Sequence, residues 1–412
     1  MMRCRRHQER ATRHSARGAR RPALRRTLRA PGPAGTVALA LGLAACGGQR
    51  TITAPLSGEG ERIEPTASVS VPPLYGVHDM YIRDGIAFVC VWNAGLQIYD
   101  VGNGTADGTP EAPVLLSTLV TSANGLPGAQ AHNAWWFHNP RTGERRYAFV
   151  GQEGPGSIGA NSAGDIHVVD VSNLRAPVEV AFFHLAGAGA HNFWMDESAE
   201  MLYAGYYNGG VVGLDVSGEL TGDLSARLAL QIKPGGNDTY VWGVMLHRGD
   251  LYAIDMLDGL YRLRPQGAAS PEIELGAVGE RYSSDLWLHG DWAFTGTWAD
   301  RLERGDAVKI WRLESGGPSL AATLLIPEIG TVGDVEVSRD GRLLLVAAER
   351  GPNAGVHVFD VETPNDPVQV ARHVLVEGVH TATFGYVGGK TYVFAAKNPP
   401  EPAVLIYDVT SF

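Results

Sequence analysis

Short runs of alternating apolar and polar residues fill most of this chain, and one such run recurs. In GLQIYDV, Gly95–Val101, β-branched and aromatic residues end on an Asp-Val pair, which is typical of a strand that ends at a turn. Four further copies are DIHVVDV at Asp165–Val171, GVVGLDV at Gly210–Val216, GVHVFDV at Gly355–Val361 and AVLIYDV at Ala403–Val409. Two degenerate copies, at Gly259–Pro265 and Ala307–Leu313, end on Arg instead of Asp.

The last polar position of these runs recurs at a nearly constant spacing. Its members are Asp100, Asp170, Asp215, Arg264, Arg312, Asp360 and Asp408. Successive members are 70, 45, 49, 48, 48 and 48 residues apart. Repeats of this length indicate an array or a propeller, in which each unit needs its neighbours to bury its faces.

Each repeat divides into four predicted strands. An apolar run such as IAFVCVW, which begins at Ile86, precedes the repeated pattern, and an Asp-Gly turn such as Asp84-Gly85 precedes that run. Asp-Gly is a strong hairpin signal. The fourth strand often begins with Pro, as at Pro113, Pro177 and Pro367, and Pro suits an outermost strand because an edge position needs no ladder donor.

Seven units of four antiparallel strands predict an all-β fold, a seven-bladed β-propeller over residues 67–412. The last unit ends three residues after Val409 without a fourth strand, whereas Ala67–Val71 reads as a strand without a blade of its own. We therefore predict that this N-terminal strand pairs with the last blade and closes the ring. The alternative, an open β-solenoid, requires shorter repeats and atypical end caps.

The N-terminal residues predict an exported lipoprotein. Residues 1–30 contain eleven Arg and one Glu, and an apolar run follows from Gly35 to Cys46. That run matches a signal-peptide core and is too short to span a bilayer. Because Leu43–Cys46 (LAAC) resembles the bacterial lipobox, we predict a signal peptide over residues 1–45 and lipidation of Cys46. The alternative is cleavage without lipidation.

Export and lipid anchoring would place the mature chain at the cell envelope. Residues 46–66 are polar and rich in Gly, Thr and Pro, so we predict a flexible tether to the cell envelope, with the membrane as a partner through the N-terminal lipid. Without residues 1–45 the formal net charge falls from −10 to about −20, which argues against nucleic acid as a partner. Arg25-Arg26 resembles a twin-arginine signal, so export through either secretory route and a translation start downstream of Met1 are compatible with the sequence.

At this point the repeats resemble a known family. The segments GLQIYDVGN, HVVDVSNLRAP and HVFDVETPNDP are similar to the LVIVD repeat, and the resemblance extends from about Gly76 to Phe412. It is clearest in units one, two, six and seven, while Arg264 and Arg312 depart from it. The resemblance implies an extracytoplasmic propeller, often on bacterial lipoproteins. It implies no defined reaction, because propellers host unrelated functions.

The starts of the predicted innermost strands contain the one constellation that suggests chemistry. Four units, consecutive around the predicted ring, begin with histidine: His380, His78, His132 and His191. Equivalent positions converge at one mouth of the central channel, and imidazole is the commonest ligand for Zn, Cu, Fe and Ni. The arrangement is similar to the four-His centre of carotenoid-cleaving oxygenases and to copper-using propellers related to selenium-binding proteins, although no other motif of either family is present.

A structural interpretation of these histidines competes with the metal site. In strict alternation His78 shares a face with Met80 and Ile82, which would direct its ring between blades. The channel would then be lined at this mouth by the residues that follow, namely Asp79, Asn133, Asn192, Asp285 and Asp334.

Two functions follow from these alternatives. The leading hypothesis is a non-enzymatic, lipid-anchored binding or scaffold propeller whose loop-bearing rim contacts a protein, peptide or glycan. Catalytic signatures such as G-x-S-x-G, a phosphate loop or H-E-x-x-H are absent from the sequence. The alternative is a metal-dependent oxidoreductase or hydrolase with one Cu, Fe or Zn ion held by the four histidines. The two hypotheses can be distinguished by whether the four histidine rings lie close enough together to bind one ion.

Overall fold

The computed structural model describes residues 49–56, 60–72, 76–122, 129–154, 160–264, 272–275, 282–299 and 304–412. Gly47–Phe412 forms one compact unit. The predicted signal peptide over residues 1–45 and Cys46 lie outside the described residues. Within the described ranges, no helix is both long enough and apolar enough to cross a bilayer.

Seven antiparallel sheets form the blades of a β-propeller, which confirms the predicted fold class. Each innermost strand contacts the innermost strands of both neighbouring blades, and the contacts between blades 7 and 1 complete the ring. From the axis outward, the first three blades consist of Asp79–Arg83, Ile86–Cys90, Leu96–Asp100 and Val114–Leu119 (blade 1); Ala131–Trp136, Tyr147–Gln152, Ile166–Asp170 and Val178–Phe183, with Gly222–Asp223 added in parallel (blade 2); Phe193–Asp196, Met201–Gly205, Val211–Asp215 and Leu228–Ile232 (blade 3).

The remaining blades repeat this order. They consist of Val241–His247, Asp250–Asp255, Gly259–Arg264 and Glu272–Leu275 (blade 4); Tyr282–His289, Trp292–Trp298, Ala307–Glu314 and Gly317–Leu325 (blade 5); Thr331–Val337, Leu343–Glu349, Gly355–Asp360 and Val368–Val374 (blade 6); Val379–Val387, Lys390–Lys397, Ala403–Asp408 and Ala67–Ser70 (blade 7). Two short 3-10 helices, Ser225–Arg227 and Gly236–Asp238, lie in the connections of blades 3 and 4.

The outermost strand of blade 7 comes from the N-terminal side of the chain. Ala67–Ser70 pairs antiparallel with Ala403–Asp408, and Ala67 lies opposite Ile406. Main-chain hydrogen bonds therefore join residues more than 300 positions apart, and the first and last parts of the propeller are held in one sheet.

The segment before this strand differs from the predicted tether. Arg50–Thr53 adds in parallel to the outermost strand of blade 5, and Glu61–Arg62 adds in parallel to that of blade 6. Ala54 and Ile63 are buried against these blades. The polar composition gave no sign of this pairing, because it depends on two exposed sheet edges, where unpaired backbone groups favour a further strand.

The core lies between neighbouring blades. Phe88 and Ile98 of blade 1 pack with Ala134 and Val150 of blade 2, for example, and all four are at most 5% exposed. Each blade is thus covered on both faces, so its second and third strands read as nearly continuous apolar runs. Cys90, in such a strand, is a fully buried free thiol.

The recurrent Asp-Val pair ends the third strand of its blade and starts a turn. In all five copies the Asp carboxylate accepts a hydrogen bond from the backbone N–H two residues later, at 2.9–3.0 Å. The Val that follows is at most 2% exposed in every copy. An Asp side chain can satisfy a turn N–H in this way, so the repeat has a local physical cause.

Where Arg replaces the recurrent Asp, at Arg264 and Arg312, an ion pair across the strands is kept, but the positions of its two charges are exchanged. Asp170 pairs with Arg146 at 2.7 Å, whereas in blade 5 Arg312 pairs with Asp291 at 3.4 Å. Blade 4 has the same inversion, since Arg264 lies 3.9 Å from Asp250. The cross-strand attraction is retained, although the Asp turn cap is not.

The Asp caps differ in burial, which predicts unequal costs of removing them. Asp100 is fully buried and accepts from Gly102, Asn103 and Ala106 at 2.9, 2.8 and 2.6 Å. Asp100→Ala leaves these N–H groups without an acceptor, so we expect it to destabilise the protein by roughly 2–4 kcal/mol. Asp215, whose side chain is 47% exposed, serves as the control, and Asp215→Ala should cost about 1 kcal/mol or less. Calorimetric Tm values measure both, and equal shifts would contradict this account.

Candidate metal centre and axial channel

A β-bulge at the start of five of the seven innermost strands, those of blades 2, 4, 5, 6 and 7, redirects side chains toward the axis. In blade 2, Ala131 lies opposite Gln152 and Ala134 opposite Val150, so His132 and Asn133 share the single partner Gly151. The same irregularity occurs at the equivalent positions of blades 5 and 7, and a one-residue version occurs in blades 4 and 6. Bulges redirect side chains, and here strict alternation does not hold.

Gly151 has a steric role at this bulge. A Cβ atom at this position would lie 2.1 Å from Oδ1 of Asn133. Glycine therefore lets the bulged strand approach its neighbour closely enough for both His132 and Asn133 to turn inward. The alternation argument for His78 also fails, since its strand begins only at Asp79.

The four sequence-predicted histidines lie together. Their rings form a row in blade order, with centroid distances of 4.3 Å from His380 to His78, 4.3 Å from His78 to His132 and 4.0 Å from His132 to His191. Trp92 stacks on His78, and Trp242, which occupies the histidine position of blade 4, stacks on His191. The row therefore follows the mouth of the channel across blades 7, 1, 2 and 3.

A carboxylate that the sequence analysis did not select completes this group. Oε2 of Glu153 lies 3.2 Å from Nε2 of His78 and 3.7 Å from Nε2 of His132. One ligand atom from each of these three residues lies within 4.8 Å of the other two, the only such trio among the described residues. Tyr207 donates its hydroxyl to the other oxygen of Glu153, so the carboxylate is held in place.

Further contacts orient the outer two rings. Nδ1 of His380 lies 3.0 Å from Oε1 of Glu349, and Nε2 of His380 lies 3.2 Å from Nδ1 of His78. Nδ1 of His191 donates to the carbonyl oxygen of Trp242 at 2.9 Å, which directs the lone pair of Nε2 away from that carbonyl. Nδ1 of His132 is buried and has no hydrogen-bond partner among the described residues.

Burial keeps most of these rings neutral. Desolvation lowers the pKa of His191 to about 4 and those of His78 and His132 well below the usual value, with repulsion from neighbouring imidazoles adding to the last two shifts. Burial also opposes protonation of His380, but the Glu349 carboxylate, together with Glu153 and Asp334, outweighs it and raises the pKa to about 9. Neutral imidazoles with free lone pairs are the form that metals bind.

Below the histidine row, a ring of polar side chains surrounds the axis, formed by Asp79, Asn133, Asn192, Asp285 and Asp334. Asn192 donates to Asp285 at 2.8 Å, and Asp285 shares a hydrogen bond with Asp334. Burial and mutual repulsion raise the pKa of Asp79 to about 7 and hold that of Asp285 well above its usual value. These are the five residues that the sequence predicted for the channel, and all five line one cavity.

The cavity occupies the rest of the axis and has a volume of about 420 Å³. Tyr81, Trp135, Trp194 and Trp287 form an aromatic arc along one side, with centroid distances of 4.9, 5.5 and 6.3 Å between successive rings. Glu336 lines the wall contributed by blade 6. Glu336 was not among the site residues that the sequence predicted.

Glu153 and Glu349 carried a sequence signal that only a second alignment would have revealed. In four blades the residue of interest lies two positions beyond the residue opposite the polar-ring residue: Trp92, Glu153, Tyr207 and Glu349. Aligning the ends of the second strands, in addition to the starts of the first, would have placed all four around the same mouth. Glu153 is the hardest of these residues to align, because it is the first residue of an insertion that lengthens its repeat.

Comparisons with known proteins support the fold and the repeat. The LVIVD repeat matches residues 160–184. No curated protein matches the chain. Solved structures match in 1263 chains, a breadth that reflects a shared architecture. One, described as the crystal structure of the mitotic checkpoint complex, is 10% identical with a TM-score of 0.61, covering 86% of this chain and 98% of that one. At that identity the likeness shows the fold alone.

Together these findings define the class of protein. The chain is a seven-bladed β-propeller that contains LVIVD-type repeat sequence, and such a fold suggests a binding or scaffold module.

The raised pKa of Glu336 predicts that the thermal stability of the protein depends on pH. Burial, opposed only in part by its hydrogen bonds and reinforced by repulsion from Asp334, raises its pKa from 4.5 to about 8. A carboxyl whose pKa is raised by folding stabilises the native state at low pH, and this contribution is lost as pH rises through the folded-state pKa. We expect Tm to fall between about pH 5 and pH 8 and Glu336→Gln to reduce that fall.

Calorimetry at pH 5.5 and pH 8 tests this expectation. At pH 8 the Glu336→Gln protein should be more stable than the wild-type protein. Glu219→Gln, at a side chain that is 74% exposed, is the matched control and should follow the wild-type curve. If the wild-type, Glu336→Gln and Glu219→Gln curves are parallel, Glu336 does not carry the pH dependence.

Proposed function

We propose that this protein is an exported metalloprotein that holds one transition-metal ion at the histidine mouth of its propeller. His78, His132 and Glu153 would supply the ligand atoms. The observation that carries the proposal is the approach of these three donors, two buried and one half-buried, from two consecutive blades to one point.

The donor spacing agrees with a shared ion. Ligand bonds of about 2.0–2.2 Å in a tetrahedral site separate neighbouring donors by roughly 3.4 Å. The separations of Glu153 Oε2 from the two Nε2 atoms are 3.2 and 3.7 Å. Two imidazoles and one carboxylate are the donor set of catalytic zinc sites and of non-haem iron(II) sites, whereas Ca²⁺ and Mg²⁺ prefer oxygen donors.

Contacts around the donors also fit ligation. A histidine that binds a metal through Nε2 carries its proton on Nδ1 and normally donates it to an acceptor. Nδ1 of His78 faces Nε2 of His380, and the far nitrogen of His380 faces Glu349. With a metal on Nε2 of His78, His380 would be neutral and accept at Nε2, because the positive charge of the ion would displace the second proton that His380 holds without it. Glu349 therefore acts through His380 as a positioning residue for His78. His191, oriented by Trp242, packs beside His132 and offers a further imidazole next to the trio.

This proposal favours the metal-dependent hypothesis over binding at the rim alone. It leaves open coordination positions toward the channel, which an oxidoreductase or hydrolase needs for its substrate. The apolar leader and the lipobox-like Leu43–Cys46 support placing the site outside the cytoplasmic membrane, on a lipid anchor.

Elemental analysis of the full chain produced in an exporting host tests metal binding. We expect about one equivalent of Zn, Fe or Cu. His132→Ala and Glu153→Gln should each lower occupancy to near zero after dialysis against a weak chelator, because the first removes one of three donors and the second replaces the anionic donor by a weaker, neutral one. His247→Ala is the control, because His247 lies five residues along the inner strand from Trp242 and so roughly 16 Å from the mouth. Equal metal content in all four proteins, or none in the wild type, would refute the site.

The role of Glu349 can be separated from that of the ligands. Glu349→Ala removes the acceptor for His380, so we expect metal affinity to fall 10–100-fold with the stoichiometry unchanged. Glu349→Gln keeps an acceptor oxygen and should recover most of the affinity. Competition with a chromophoric chelator measures both. If the Ala and Gln variants bind equally tightly, His380 does not position His78 through Glu349.

A further inference from the structure

The axial cavity has the features of a second binding site, made of residues other than the proposed metal ligands. It lies on the same axis, below the polar ring, and its volume of about 420 Å³ is within the range of small-molecule sites. We propose that it binds a small organic ammonium ion, held between the aromatic arc and the carboxyl group of Glu336.

The lining is strongly acidic. Four carboxyl groups line the cavity, those of Asp79, Asp285, Asp334 and Glu336, against one guanidinium, Arg339, and one imidazole, His289. Arg339 follows the end of the inner strand of blade 6, and its guanidinium stacks 4.0 Å above the ring of Tyr386, so its charge is engaged at the far end. Asp79 and Asp334 have the imidazole of His380 as a cationic neighbour, which leaves Asp285 and Glu336 as the carboxyl groups that a bound cation would stabilise most.

The aromatic arc supplies the complementary surface. Its four rings come from blades 1, 2, 3 and 5, and Trp135 contacts both Tyr81 and Trp194. Aromatic faces attract ammonium ions within about 6 Å through their quadrupole, and several such rings form the cages that recognise quaternary ammonium groups. A carboxyl group opposite such an arc favours an organic cation over a neutral ligand of the same shape.

Calorimetric titration of the full-length protein with choline tests the proposal. Choline carries a trimethylammonium group and a hydroxyl, and 3,3-dimethylbutan-1-ol is its uncharged counterpart of the same shape. We expect choline to bind at least 10-fold more tightly than the alcohol. Propylammonium, a primary amine, serves as a second cationic probe.

Variants assign the binding to the cavity. Glu336→Gln should weaken choline binding at least 10-fold while the protein remains folded, and Glu219→Gln should have no effect. Trp194→Ala should weaken binding to a similar extent, and Trp194→Phe should restore part of it, because Phe retains an aromatic face. Equal binding of choline and the neutral alcohol, or no saturable binding of either cation, would overturn the proposal.

The proposals of metal binding and of ammonium binding can be tested independently, because different variants should abolish each. The His132→Ala protein, which should lack metal, should still bind choline within about 3-fold of the wild type. The Glu336→Gln protein should lose choline binding but keep its metal content. If His132→Ala abolishes choline binding without unfolding the protein, the cation is held at the metal centre, and the cavity is not its site.

Discussion

The bulge at the start of the innermost strands is the constraint on which the functional part of this propeller depends. A closed ring brings seven equivalent strand ends to one axis, but regular alternation would send only one of each successive pair of side chains toward it. Because His132 and Asn133 share one partner residue, both face inward. In the bulged blades adjacent residues thus contribute to two layers, a histidine row above a ring of carboxyl and amide groups. In blades 1 and 3, His78 and His191 reach the row because they precede the regular strand.

The fold was predictable because its repeat has a local cause. An Asp that caps its own turn and a buried Val mark the end of each third strand, and that signal survives without knowledge of the tertiary structure. The inversion of charge at Arg264 and Arg312 also explains why the signal weakens in blades 4 and 5. There the ion pair across the strands is kept while the turn cap is lost, so a pattern built on Asp no longer matches.

The site was predictable only in part, for a different physical reason. Equivalent positions in the repeat placed the four histidines together, but their direction depended on a bulge, which a two-residue period does not anticipate. Glu153 lies where the chain leaves the repeat, so no periodic argument reaches it. The segment from Arg50 to Ile63 resembled a tether because few of its residues are apolar, whereas its stability comes from backbone pairing with exposed sheet edges.

The distribution of charge along the axis explains why both proposed sites would bind a cation. The mouth holds mostly neutral imidazoles beside one carboxylate, a composition that suits a metal ion. The cavity below holds carboxyl groups with little cationic compensation, faced by aromatic rings. Folding has concentrated acceptors for positive charge on one line through the molecule while placing Arg and Lys side chains in ion pairs at the ends of the strands. Since buried acids are retained only where something balances them, the centre of this propeller is best understood as a place for cations that the chain itself does not supply.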